Sequence, residues 1–280
     1  LFFSKAGDYE NMTTGTNADD AMVYTIASNQ VNAIRYMKAV RTLVVGTTGG
    51  EFTVSADGTD ASITPTNITI KRQSSFGSAN VDAIPAGNAI LFLQKAKRKI
   101  RELQYNFDSD GYQAPDLTIL NETVTDTGIN EMSYQQEPGS NIWCVRDDGV
   151  LACLTYQRSE NVIAWSRHIF GGAFGSGKAV CESVASISGV LTEDEVWVIV
   201  KRTINGATKR FVECFSDFDF DETDANDFKF LDSHLSYSGS ATTTLSGLAH
   251  LEGQTVSILA DGAAHANKTV SSGAITLDRS

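Results

Sequence analysis

At 280 residues, 41% of them apolar, the chain can bury an ordinary core as one large β domain or as two domains. Its 22 Lys and Arg stand against 34 Asp and Glu, a net charge of −12, which argues against a tight nucleic-acid binder, whose affinity comes from neutralised phosphates. Such a surface either keeps the protein soluble or forms a wall past which DNA slides without sticking.

The chain opens on Leu1-Phe2-Phe3-Ser4, which reads as the end of a blade whose start is missing, with no initiator Met and no visible signal peptide. It closes on Asp278-Arg279-Ser280, and both ends read as those of a piece of a longer protein. The first hairpin runs from Leu43-Val44-Val45 through Thr47-Thr48-Gly49-Gly50 into Glu51-Phe52-Thr53-Val54. Next, Ile90-Leu91-Phe92-Leu93 leads through a basic stretch into Ile100-Arg101-Glu102-Leu103. Pro115-Asp116 can open a turn, with a short helical stretch over Leu117 to Asn121. Ile142 to Val145 and Val150 to Tyr156 flank Arg146-Asp147-Asp148-Gly149, whose Asp and Gly tolerate the positive φ of a tight turn. Val196 to Val200 and Arg210 to Phe215 flank Asn205-Gly206, the type I′ signal. Flanking strands are predicted at 33–36, 68–71, 132–134, 162–167 and 184–187. The long stretch Phe218 to Phe230 is rich in Asp and Phe, and Asp217 to Asp221 reads as a solvated loop with inward aromatics rather than a metal site, lacking the Gly and closing Glu spacing of an EF-hand.

The hairpins start near Leu43, Ile90, Ile142 and Val196, at separations of 47, 52 and 54 residues. Three or four strands in a period of this length are the signature of propeller blades. From about Ser240 short strands alternate with Gly and Asp-Gly turns. The fold class is therefore all-β: β-propeller blades, as antiparallel four-stranded sheets, over 1–238, and a small β-sandwich or barrel module, truncated or inserted, over 239–280.

Chemistry-bearing patterns are sparse. His168, His234, His250 and His265 have no metal-ligand spacing and read as surface or packing residues. Cys144, Cys153, Cys181 and Cys214 match no zinc pattern and read as buried free thiols in a reducing compartment, Cys144 and Cys153 not directly opposite on their hairpin. Gly172 to Lys178 has phosphate-loop glycines, but Ala179 stands where Ser or Thr is required, so it reads as a loop. Trp143, Trp165 and Trp197 fall at similar places in their units, which predicts packing between blades. No apolar run approaches the roughly 18 residues that span a bilayer. No enzyme site, metal or cofactor is predicted. The basic run holding Lys95, Lys97, Arg98 and Lys99 sits at a hairpin tip, either as a solvated turn or as a contact for a phosphate backbone or an acidic partner subunit.

Several segments carry a resemblance. These are Arg101 to Tyr105 with Asp116-Leu117-Thr118, Met132 to Pro138, Trp143 to Gly149, Leu154-Thr155-Tyr156, Ala164 to Arg167, Gly171-Gly172, Val196 to Arg202, Asn205-Gly206, and Gly247 to Gly253 with Leu259 to Gly262. Over roughly residues 90 to 280 the pattern resembles tail nozzle proteins of short-tailed bacteriophages, the tail tubular protein B type. That resemblance implies a structural virion protein of the tail tube, made in the host cytoplasm. It implies a homo-oligomeric ring, usually of six copies, partnered by adaptor and fibres, with DNA passing through without sequence-specific binding. The alternative from a different class is a glycan-binding or depolymerising tail protein, which needs clustered carboxylates and exposed aromatics in a groove.

Overall fold

The computed structural model describes residues 1–27, 32–58, 61–189, 193–216 and 231–279, so the stretch Asp217 to Phe230 lies outside the described residues. The chain divides into two compact units, Leu1–Met132 and Ser133–Ser280. Among the described residues the regular structure is β-strand with three short 3-10 turns and no α-helix.

In the first unit β1 (Phe2–Phe3) and β2 (Met22–Val23) form a two-stranded antiparallel ladder. A four-stranded meander follows: β3 (Ile34–Ala39), β4 (Leu43–Thr47), β5 (Gly50–Ser55) and β6 (Thr69–Ser74). Its central turn is Thr48-Gly49, closed by the Thr47↔Gly50 pair and by the Thr47 hydroxyl donating to the Gly50 carbonyl at 2.7 Å. The second meander is β7 (Ile84–Ala86), β8 (Ala89–Leu93), β9 (Ile100–Asn106) and β10 (Gly111–Gln113). Residues 117–120 form turns, with one 3-10 turn at Glu122–Val124. The Asp116 carboxylate takes the Thr118 N–H (2.9 Å) and hydroxyl (2.5 Å) as a helix N-cap would, but the chain goes on in an i→i+3 bond, Asn121 N–H to the Thr118 carbonyl (2.8 Å), so turns form rather than an α-helix.

The two meanders meet face to face. Tyr36 and Val44 of the first pack with Ile90, Phe92 and Leu103 of the second and with Ala83. Pairing in register accounts for this set: Ile90 opposes Leu103, so both project from one side of their sheet, and Phe92 shares that side two residues on.

In the second unit β11 (Ile129–Gln135), on which the division falls, heads the meander β11, β12 (Asn141–Arg146), β13 (Leu151–Gln157) and β14 (Val162–His168). The Asp-Gly turn forms as predicted. The Asp148 carboxylate accepts two bonds from Arg146 (3.0 and 2.8 Å) and one from the Val150 N–H (3.2 Å), and Gly149 sits at φ 78°. A small hairpin, β15 (Ala173–Phe174) and β16 (Gly177–Lys178), occupies the glycine-rich loop. The next sheet holds β17 (Val180–Ser188), β18 (Asp194–Ile204) and β19 (Ala207–Cys214). Its Asn205-Gly206 turn has φ 48° and 71°, the left-handed pair that a type I′ turn requires.

These two sheets also pack through apolar faces. Trp143, Val145, Leu151 and Cys153 face Cys181, Val184, Val196, Val198 and Val200, and Phe215 lies with its ring centroid 4.9 Å from that of Trp143. Only Trp143 of the three tryptophans joins this core. Trp165 is half-buried, and Trp197 falls on the other side of β18 from Val196 and Val198, 37% exposed, with its indole N–H donating to Glu195 at 2.8 Å. Cys144 pairs with Ala152 and Cys153 with Trp143, so the two thiols point to opposite faces. Burial pushes the Cys144 thiol well up and the Cys153 thiol to about 12. Cys214 is exposed rather than buried, because it shares the outer face of its sheet with Trp197.

The last strands are β20 (Thr244–Ser246), β21 (Thr255–Ala260), β22 (Ala263–Thr269) and β23 (Ala274–Thr276). They form two ladders, β20 with β23 and β21 with β22, around a small core of Leu248, Val270 and Ile275. Among the described residues these ladders do not close into a barrel.

Burial along the strands separates the sheets. All five residues of β8 are buried, as are five of six in β5 and in β12. A strand covered on both faces reads as a continuous apolar run rather than an alternation. By contrast β18 alternates, and its outer face leaves Trp197 and Ile199 exposed beside Val212 of β19.

One glycine is fixed by this packing. Gly46 pairs with Tyr36 on one side and Glu51 on the other, and a Cβ at Gly46 would stand 2.1 Å from the Tyr36 ring. Gly46→Ala is expected to lower stability by about 1–3 kcal/mol in urea unfolding, the usual range for overpacking a core. Gly177→Ala, where a Cβ meets nothing nearer than 3.7 Å, is the control expected to change little.

Candidate functional site

The basic hairpin tip joins β8 to β9 over residues 94–99. Gln94 donates its N–H to the Lys99 carbonyl at 2.8 Å, and Lys97, in the left-handed region at φ 63°, donates its own to Gln94 at 2.7 Å. The turn is tied to the segment that follows β10. The Arg98 carbonyl accepts from the Thr125 hydroxyl (2.6 Å), and the Lys97 carbonyl accepts from the Ile129 N–H (2.9 Å).

Two of the four predicted contact residues, both partly exposed, are engaged by side chains of the same unit. The Lys99 ammonium reaches Asp116 at 2.8 Å and Glu122 at 3.2 Å, and the Lys97 ammonium donates to the Asn130 side-chain carbonyl at 2.7 Å. The bond to Asp116, then that to Glu122, raises the Lys99 pKa. Burial works against the Asp116 carboxylate, yet the bonds from Lys99 and Thr118 hold it below the usual range. Lys95 and Arg98 are exposed and make no ion pair among the described residues. Two outward cations amount to a local contact point, not the broad basic face that tight phosphate binding requires.

At the opposite end of the same sheet the loops enclose a cleft of about 600 Å³, lined by Val40, Arg41, Asn88, Gln104, Tyr105 and Tyr112 among others. Tyr105 and Tyr112 are cross-strand partners on β9 and β10, with ring centroids 5.7 Å apart and planes at 70°, the edge-to-face arrangement favoured by aromatic quadrupoles. Both rings are anchored by their hydroxyls. Tyr105 donates to Asp110 at 2.5 Å, and Tyr112 and Thr42 share a bond of 2.9 Å. The bond to Asp110 raises the pKa of the Tyr105 phenol. The Arg41 guanidinium lies 5.1 Å from the Tyr105 ring centroid. Sequence reasoning missed this cleft, because its residues come from four separate stretches that only the packing of the two meanders brings together.

Glu51 was also missed. It is fully buried in β5, and its carboxylate accepts the hydroxyl protons of Ser74 and of Ser78 (2.7 Å). Burial raises its pKa, against the pull of both serine hydroxyls, the Gly77 N–H and the Arg101 charge. The adjacent small residues, Gly46 on one side and the serines on the other, are the only sequence sign of a side chain turned inward here. In the second unit Arg202, 2% exposed, pairs with Glu213 and donates to the Gly171 carbonyl at 2.7 Å. These buried charges have their hydrogen bonds inside the fold and do not line the cleft.

The histidines are packing and surface residues. His168 sits 5.0 Å from Trp143, and burial lowers its pKa, while His234 and His250 are exposed. Among the described residues no three His, Cys, Asp or Glu are grouped to hold a metal ion, and no helix is long and apolar enough to cross a membrane. Comparison of the sequence with protein-family models and with curated proteins gives no match.

Two outcomes follow from the charges. Lys99→Ala is expected to lower the urea midpoint at low salt and less so at high salt, while Lys95→Ala and Arg98→Ala leave it unchanged. Because the fold raises the Glu51 carboxyl above its unfolded value, the folded state keeps a proton that the unfolded state releases between the two. Stability therefore falls as pH rises through that window. Glu51→Gln removes this dependence, so urea melts are expected to favour the variant over the parent more at pH 7 than at about pH 4.

Proposed function

We propose that this chain is part of a structural virion protein in the tail tube or nozzle of a short-tailed bacteriophage, built from propeller blades. The observation that carries the reading is the run of four successive antiparallel meanders, with hairpins at the spacing seen in the sequence. In each unit two of them are joined by an apolar core. Blades of this kind make a stiff body, because each sheet packs on a neighbour and few edges are free. The resemblance over roughly residues 90 to 280 supplies the tail context.

The mechanism is mechanical. Copies assemble into a ring, the net charge of −12 lets DNA pass without adhering, and adaptor and fibre proteins hold the outside. The exposed apolar strip of Trp197, Ile199 and Val212 fits a subunit that buries more surface on assembly. Lys95 and Arg98 are the contact for an acidic neighbour or for passing phosphates. The small ladders after Ser240 form an appended module of the same subunit.

Negative-stain micrographs and light scattering of the intact protein are expected to show a closed ring of about six copies. A monomer at high concentration contradicts the proposal.

A further inference from the structure

The cleft at the β7–β10 end of the first unit is not used by the tail-tube reading, and the inference below does not depend on that reading. Its volume of about 600 Å³ falls within the roughly 300–1,000 Å³ of small-molecule sites. Three of its polar side chains, those of Arg41, Asn88 and Gln104, are exposed and have no hydrogen-bond or ion-pair partner among the described residues. They line the same cleft as two tyrosines whose hydroxyls bond to Asp110 and Thr42, outside its lining.

We infer that this cleft binds an oligosaccharide carrying a carboxylate. Each part of that ligand has a counterpart. The apolar C–H face of a pyranose packs on tyrosine rings and on Val40 and Pro85. Sugar hydroxyls, at once donors and acceptors, suit the planar amides of Asn88 and Gln104. Arg41 is exposed and has no acid of its own, its guanidinium lies 5.1 Å from the Tyr105 ring centroid, and a guanidinium without a partner is the group best suited to take a carboxylate. The nearby Asp110 carboxylate is engaged by the Tyr105 hydroxyl, which limits its repulsion of an anion. A purely aliphatic or aromatic ligand would cover Arg41, Asn88 and Gln104 without partnering them. The rigid tyrosines mean that little ordering is needed on binding.

The test uses the full chain on an array of uronic-acid and sialic-acid oligosaccharides with their neutral counterparts, followed by calorimetry on the best binder. Binding of acidic glycans is expected, weakened at least about tenfold in Arg41→Ala and several-fold in Asn88→Ala and Gln104→Ala, all surface changes that leave the fold intact. Lys95→Ala with Arg98→Ala, at the opposite end of the sheet, is expected to bind as the parent does. The inference is overturned by no binding to any acidic glycan up to about 10 mM. Equal binding of the neutral counterparts overturns it too, as does affinity unchanged in Arg41→Ala but lost with the Lys95 and Arg98 pair. A ring-forming protein that binds no glycan, and a glycan binder that forms no ring, are both distinguishable outcomes.

Discussion

Apolar contact between neighbouring meanders is the constraint on which the rest of the molecule depends. A sheet whose two faces are both apolar cannot stand in water, so β8 and β12, with nearly every residue buried, require cover on each side. In the first unit Tyr36 and Val44 cover the face that carries Ile90, Phe92 and Leu103. In the second, the valines of β18 provide it for Trp143 and Leu151. At roughly 1.5–3 kcal/mol for each fully buried large apolar side chain, these faces outweigh any single ion pair in the structure.

Polar groups take the places that this packing leaves them. Glu51 enters the first interface only because Gly46 leaves room for the Tyr36 ring and Ser74 and Ser78 supply donors. Arg202 is buried because Glu213 and the Gly171 carbonyl satisfy it. Such buried ions add little net stability compared with an apolar pair, but removing one partner is costly, so they fix how the strands sit more than how tightly. The basic tip follows the same logic: Lys99 and Lys97 tether the turn to the segment behind it, and only Lys95 and Arg98 face outward.

Much of the fold is legible in the sequence because hairpins are local. Asp147-Asp148-Gly149 and Asn205-Gly206 declare positive φ where the turns need it, and apolar runs on both sides declare the strands. What a strand packs against is not local. The three tryptophans occupy similar places in their units, yet strand phase puts Trp197 on the outer face of β18, a one-residue matter that spacing over 50 residues does not resolve. The same phase exposes Cys214. At Leu117 the cap that Asp116 offers is present, yet the i→i+3 bond from Asn121 to Thr118 leaves only turns, which propensity alone does not reveal. The cleft was illegible for a further reason: Arg41, Asn88 and Tyr105 are common loop and strand residues that acquire meaning only when the meander gathers them.

Neighbouring sheets within each unit are coupled through side chains at their interface. Tyr36 and Phe92 come from adjacent sheets, with ring centroids 6.0 Å apart. A double-mutant cycle with Tyr36→Leu and Phe92→Leu, read by urea unfolding of the full chain, measures that coupling directly. A favourable interaction of about 0.5–1.5 kcal/mol between the two rings is expected. Strictly additive losses, with each change acting as though the other sheet were absent, would contradict it.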